Sequence, residues 1–328
     1  MLTKVFRVLE FSRYFSLPMT IFSWLIVFVY SITDSGNIWY GLVALLGISI
    51  VHLGANLLDD FFDYRYLMQQ LNFDKKAYLN NSQKTKCRYL ISGLISEKQI
   101  LCLISGFFLI GFLCGLYLYF KNGIGVLYFA LAGGIIAVIY PLASRICLSE
   151  VMIALAYGPL LFGGIYYAMT GAYSNDVFIL SVPSMIITVV LLYIHTVMDY
   201  EFDLNEGHNT IANRFDSQLD SLIVLKILLI SAYISVVLLC IFDIADWHVF
   251  LTFITIPLAA DLYKSLEMFA NNPEETPDKK WYHFPMENWK RLSERNETSF
   301  MMRMYQSRNL MIYFSLFLTL GIVFSLLV

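Results

Sequence analysis

Asn56, Asp60 and Asp63 fall at i, i+4 and i+7 of the run Asn56-Leu57-Leu58-Asp59-Asp60-Phe61-Phe62-Asp63, and Asp199, Asp203 and Glu206 repeat that spacing. On a helix this spacing aligns each set on one stripe, with Asp59 beside the first at i+3. Each run ends an apolar stretch. A carboxylate at the centre of a bilayer helix costs about 2.5–3.5 kcal/mol on insertion scales and less toward the interface, so clustered carboxylates need a compensating cation. Oxygen-only donors suit Mg²⁺, which is commonly held by one or two carboxylates plus phosphate oxygens. No His or Cys cluster with metal-ligand spacing accompanies them, which argues against zinc or iron. Lys84, Lys86 and Arg88 stand close together in the following polar segment. Ammonium and guanidinium groups are what a diphosphate requires. The expected ligand is therefore a magnesium-bound phosphate or diphosphate.

The elements that must position these groups follow from hydropathy. The 328 residues are 58% hydrophobic and 14% charged, whereas soluble domains carry about 25% charge. The chain is read as an all-α polytopic membrane protein. Apolar stretches of spanning length lie at 15–33, 38–59, 99–120, 123–142, 150–171, 177–198, 220–242, 247–266 and 308–328. These nine transmembrane helices form one domain, 1–328, with polar segments 60–98, 199–219 and 267–307. With the N-terminus in the cytoplasm, only Lys121 of the 22 basic residues falls on the outer side, as the positive-inside rule requires. Both acidic runs then share the cytoplasmic face and could meet across a central cavity. A net charge of −3 gives no sign of a nucleic-acid partner. Five cysteines, none in a CxxC pair, read as apolar filler. The segment 267–307, with Trp281 and Trp289, reads as an amphipathic surface element.

The two acidic runs resemble the Asn-x-x-x-Asp and Asp-x-x-x-Asp motifs of the UbiA superfamily of intramembrane aromatic prenyltransferases. Three further stretches carry the resemblance: Arg88 to Ser96 is similar to RPLVSGxIS, Tyr140-Pro141 precedes Arg145, and Gly207 to Ala212 is similar to GKxTLA. Together they cover roughly 15–240. Leu148-Ser149-Glu150, Tyr157-Gly158-Pro159-Leu160 and Gly163-Gly164-Ile165-Tyr166-Tyr167 look most like the branch that prenylates 1,4-dihydroxy-2-naphthoate for menaquinone. Departures are Asp59 where Asn is frequent, His208 where Lys is common, and His195 one turn before Asp199.

The resemblance implies Mg²⁺ held by Asp60, Asp63, Asp199 and Asp203, binding the diphosphate of a polyprenyl donor, with Asn56 positioning it. It implies that Lys84, Arg88 and Arg145 stabilise the leaving diphosphate while an aromatic acceptor attacks the allylic carbon. The partners implied are a polyprenyl diphosphate, an aromatic acceptor and the lipid bilayer. Same-fold transfer to hydroxybenzoate, a porphyrin or a glycerol phosphate is the nearer alternative. An ion-coupled secondary transporter is the more distant one, and such proteins set their charged groups near the midplane.

Overall fold

Nine helices long and apolar enough to cross a bilayer run through the described residues of the computed structural model: α1 Tyr14–Thr33, α2 Ile38–Gln69, α3 Glu97–Asn122, α4 Ile124–Ala143, α5 Ser149–Thr170, α6 Asn175–Met198, α7 Gln218–Ile241, α8 Trp247–Asn271 and α9 Thr298–Ser325. The structure describes residues 2–70, 73–80, 86–143, 145–206, 209–294 and 297–327. An amphipathic helix, Leu2–Phe11, precedes α1 and stacks Phe11 on Tyr89. Short links join α1 to α2, α3 to α4, α5 to α6 and α7 to α8. The longer polar segments all lie at the opposite end of the bundle. The protein is an integral, multi-pass membrane protein of all-α fold.

The span count matches the hydropathy reading, but two boundaries move. Expected to end near 59, α2 continues to Gln69, so the first acidic run sits inside one unbroken helix. Its charges are matched by cations from other segments, and nothing forces the helix to stop. Expected to begin at 308, α9 begins at Thr298. Its added turns are polar yet buried, because Arg303, Gln306 and Asn309 bond to α8 and to the segment before α9.

The largest core joins Phe162 and Ile165 of α5, Leu180, Ile187 and Ile194 of α6, Leu225 of α7, Leu262 of α8, and Phe314 and Leu318 of α9. Of the nine, α6 is the most enclosed, with 67% of its apolar window buried, against 11% for the peripheral α3. A second cluster packs Tyr78, Cys87, Tyr89, Leu90 and Ile91 of the polar segment against Leu57 of α2 and Ile100 and Ile104 of α3. Fully burying one aliphatic side chain contributes about 1.5–3 kcal/mol, so this cluster anchors 86–96 against α2 and α3. A capping box of Ser96 and Gln99 then opens α3. The Lys86 backbone is thereby tied to the acidic stripe of α2.

Residues 272–297 do more than cover a surface. Arg303, fully buried, donates from Nε to the Ser265 carbonyl at 2.7 Å and from Nη2 to the Glu275 carbonyl at 3.0 Å. Asn309 Nδ2 donates to the His283 carbonyl at 2.7 Å. Asp261 of α8 accepts from Lys280 Nζ at 2.8 Å and from the Tyr282 hydroxyl at 2.6 Å. The segment is pinned to α8 and α9 from both sides.

Candidate active site

Asp59 and Asp60 are 5% and 2% exposed. Carboxylates buried this deeply persist only when paired and hydrogen-bonded. The partners come from three separate segments. Arg13 Nη2 lies 3.3 Å from Asp59 Oδ2 and forms a close ion pair with Asp60 Oδ1. Lys86 Nζ lies 3.4 Å from Asp59 Oδ2 and 3.2 Å from Asp63 Oδ2. Arg145, from the turn after α4, reaches Asp63 Oδ1 at 3.6 Å and lays its guanidinium over Tyr66 at 4.2 Å. The Cys87 N–H donates to Asp60 Oδ2 at 3.2 Å.

Arg13 sits at the bend between the N-terminal helix and α1 with φ 55, a left-handed conformation unusual for a side chain of this size. Asn56 holds that bend, donating from Nδ2 to the Ser12 carbonyl at 2.9 Å and to Ser16 Oγ at 3.0 Å. Its amide is thus committed to positioning Arg13. Of the expected cations, Arg145 is in place and Lys84 lies outside the described residues. Arg88 donates to the Leu79 carbonyl at 2.5 Å. Of the two cations bridging the α2 carboxylates, Lys86 was singled out in sequence beside Lys84 and Arg88, whereas Arg13 was legible only as a basic residue next to a span.

The second run begins where α6 ends. Asp199 caps the helix, its N–H donating to the His195 carbonyl at 2.9 Å, and the Asp203 N–H donates to the Asp199 carbonyl at 2.8 Å. Burial pushes the Asp199 carboxyl up, and Lys86 partly offsets this. Burial also pushes Asp203 up, reinforced by the charge on Asp199 and, after the Lys86 offset, by Glu150, to about 7. The Lys86 ammonium is itself held charged, first by Asp59 and then by Asp63. The Lys86 charge thus acts on Asp199 and Asp203 as well as on Asp59 and Asp63. His208 lies outside the described residues.

Two orphaned buried groups show what the site lacks. Glu150 is 5% exposed; Ser149 Oγ donates to its Oε2 at 2.8 Å, and its Oε1 has no hydrogen-bond partner among the described residues. Arg145 Nε and Nη2 are likewise buried without a hydrogen bond. A spare Glu150 oxygen whose charge is felt at Asp203 fits a hard cation, and guanidinium nitrogens without hydrogen bonds fit an anion such as a diphosphate. Among the described residues no three metal-binding side chains already converge on one point. The α2 carboxylates are held by Arg13, Lys86 and Arg145, so a cation bridging both runs requires those pairs to open.

Residues 16–289 match the sequence profile of the UbiA prenyltransferase family. No curated protein matches the chain. Among solved structures, a digeranylgeranylglyceryl phosphate synthase is similar at 16% identity and TM-score 0.60, covering 98% of this chain and 99% of that one. The apo form of a UbiA homolog from Aeropyrum pernix is similar at 14% identity and TM-score 0.60, covering 94% and 98%. A UbiA homolog from Archaeoglobus fulgidus bound to GPP and Mg²⁺ is similar at 14% identity and TM-score 0.58, covering 92% and 99%. Such distant likenesses speak for the fold. The sequence match over most of the chain carries more, and by it the chain belongs to the UbiA prenyltransferase family.

Proposed function

We propose that the protein transfers a polyprenyl group from a polyprenyl diphosphate to 1,4-dihydroxy-2-naphthoate, in a Mg²⁺-dependent step of menaquinone synthesis, at a mouth facing the cytoplasm. The observation that carries the reading is Lys86, ion-paired to Asp59 and Asp63 and acting by its charge on Asp199 and Asp203, together with buried Arg145 nitrogens and a Glu150 oxygen that make no hydrogen bond. That combination suits a cation and a diphosphate bound together, and the A. fulgidus homolog binds GPP with Mg²⁺.

In this reading Asp60, Asp63, Asp199 and Asp203 would hold the magnesium. When bound, it would neutralise the diphosphate and stabilise charge on its leaving oxygen. Arg145, Lys86 and Arg13 turn from the α2 carboxylates to the phosphate oxygens, supplying donors already oriented by the protein. Lys84 and Arg88 are assigned the same role. Asn56 keeps the bend that carries Arg13 in register. The prenyl tail lies among the apolar helices, where exclusion of water protects the electron-poor allylic carbon until the ring carbon attacks it. The Glu150 region and the Tyr157 to Tyr167 stretch support the naphthoate branch by their motif resemblance.

An acceptor panel tests this directly. Purified protein with Mg²⁺ and a polyprenyl diphosphate is expected to prenylate dihydroxynaphthoate in preference to hydroxybenzoate or glycerol phosphate. Product from hydroxybenzoate alone would overturn the acceptor assignment, and no product from any acceptor would overturn the whole reading.

A further inference from the structure

Deeper in the bundle, a polar cluster takes no part in binding the diphosphate. His52 stands four residues before Asn56 on α2, about 6 Å farther from the mouth at ~1.5 Å per residue. Its Nε2 lies 2.8 Å from Ser16 Oγ. Its Nδ1 lies 2.6 Å from Thr20 Oγ1 and 2.8 Å from the Tyr157 hydroxyl.

The Ser16 contacts favour one tautomer. Ser16 donates its one hydroxyl hydrogen to the Arg13 carbonyl at 2.8 Å and accepts from Asn56 Nδ2 at 3.0 Å. With the Ser16 hydrogen on the Arg13 carbonyl, His52 Nε2 donates to Ser16, which leaves Nδ1 with the lone pair. One lone pair then faces two hydroxyl donors. Thr20 and Tyr157 are 3.4 Å apart, too far for either to satisfy the other well. The trio keeps one under-used O–H donor and spare oxygen lone pairs.

A purely structural hydrogen-bonded tie between α1, α2 and α5 would match its donors and acceptors closely, whereas this one closes only through the 3.4 Å link between Thr20 and Tyr157. Tyr157 also occupies a π-helical turn, Ala156–Leu160, where Gly158 leaves helical geometry at φ −96 and ψ −110. Single π-turns within α-helices are frequent at functional sites. Thr20 is 2% exposed, while His52 and Tyr157 are half-buried.

We propose that Thr20, Tyr157 and the Nδ1 of His52 form the subsite that binds a ring hydroxyl of the acceptor. This rests on the prenyl-transfer reading: with the diphosphate at the carboxylates and the tail running inward, the attacked carbon and its partner ring lie about one turn below the mouth. A phenolic or hydroquinone hydroxyl both gives and takes a hydrogen bond, which is what the trio lacks. A carboxylate or phosphate would instead face a nitrogen lone pair. The three groups read the hydroxyl by hydrogen bonding, and sites of that kind reject analogues lacking the group strongly.

The test compares 1,4-dihydroxy-2-naphthoate with its mono-O-methyl ethers on the full-length enzyme, in wild type, Tyr157→Phe and Thr20→Val. Both substitutions keep shape, and the pair guards against one variant failing to fold. Wild type is expected to prefer the free hydroxyl at least tenfold in kcat/KM over one of the ethers, and Tyr157→Phe to lose most of that preference. Its KM for the prenyl diphosphate should stay within about twofold of wild type, the spread additivity allows for separate sites. Equal losses in either variant on the free and methylated acceptors would assign the cluster to structure and overturn the subsite. Mg²⁺-dependent binding of the prenyl diphosphate, measured without acceptor, separates the two claims: if wild type does not bind it, the reading of the mouth fails and the subsite with it. If wild type binds the donor but discriminates against neither ether, the subsite alone fails.

Discussion

Arg13 and Lys86 reach into a group of three α2 carboxylates, two of them nearly sealed from solvent. Removing one partner of a buried pair leaves a charge without compensation, at a cost of roughly 3–5 kcal/mol. The Arg13 side chain is 24% exposed and the Lys86 side chain 54%, so the two should differ. Arg13→Met is expected to destabilise by about 3 kcal/mol and Lys86→Met by about 1 kcal/mol, after solvent screening. Thermal unfolding in detergent checks both, and a larger loss for Lys86→Met would contradict the assignment. Asp203 makes a pH prediction. Its carboxyl is raised to about 7, so in metal-free protein it stabilises the fold below its unfolded value, about 4, and loses that contribution as pH rises through 7. The unfolding temperature of magnesium-free protein should fall between about pH 4 and 7, and Asp203→Asn should flatten the fall. Because proton and cation compete for the same oxygens, Mg²⁺ binding should weaken as pH drops below about 7. At this scale the carboxylates were legible from spacing alone. Arg13 was not, because it lies 46 residues from Asp59 and reaches it through a left-handed bend that no local pattern announces.

At the scale of elements, hydropathy located the spans but misjudged the ends of α2 and α9. Both errors share a cause: polar residues were read as leaving the bundle when partners on other segments let them stay inside. The Arg303 clamp gives the clearest test. With Nε and both terminal nitrogens bonded to Ser265, Ser299 and Glu275, Arg303→Leu should remove three buried hydrogen bonds at about 0.5–1.5 kcal/mol each, while each carbonyl keeps another donor. Hydrogen exchange across 272–297 is expected to rise in this variant, while exchange in α6 stays near wild type. A uniform rise would mean that the clamp supports the whole bundle. The π-turn that presents Tyr157 was also illegible; Gly158-Pro159 marked an irregularity, but which side chain it re-aims depends on α1 and α2.

For the whole molecule, nine crossings place the N-terminal helix and the long polar segments at one end, with the short links at the other. In the orientation we propose from the bias of Lys and Arg, the first end faces the cytoplasm. In a chain whose native cysteines are replaced, an impermeant thiol reagent applied to intact cells should label Ala172→Cys and spare Asp278→Cys, both at exposed positions. The reverse pattern would invert the topology and put the mouth outside. The central claim, that the two acidic runs and their cations form one magnesium diphosphate site, is tested most directly by titrating a polyprenyl diphosphate into purified protein with and without Mg²⁺. Wild type should bind with Mg²⁺ and lose at least tenfold in affinity with EDTA. Asp199→Asn, Asp203→Asn and Arg145→Met should each weaken the Mg²⁺-dependent part. Magnesium-independent binding, unaffected by those three substitutions, would contradict the account.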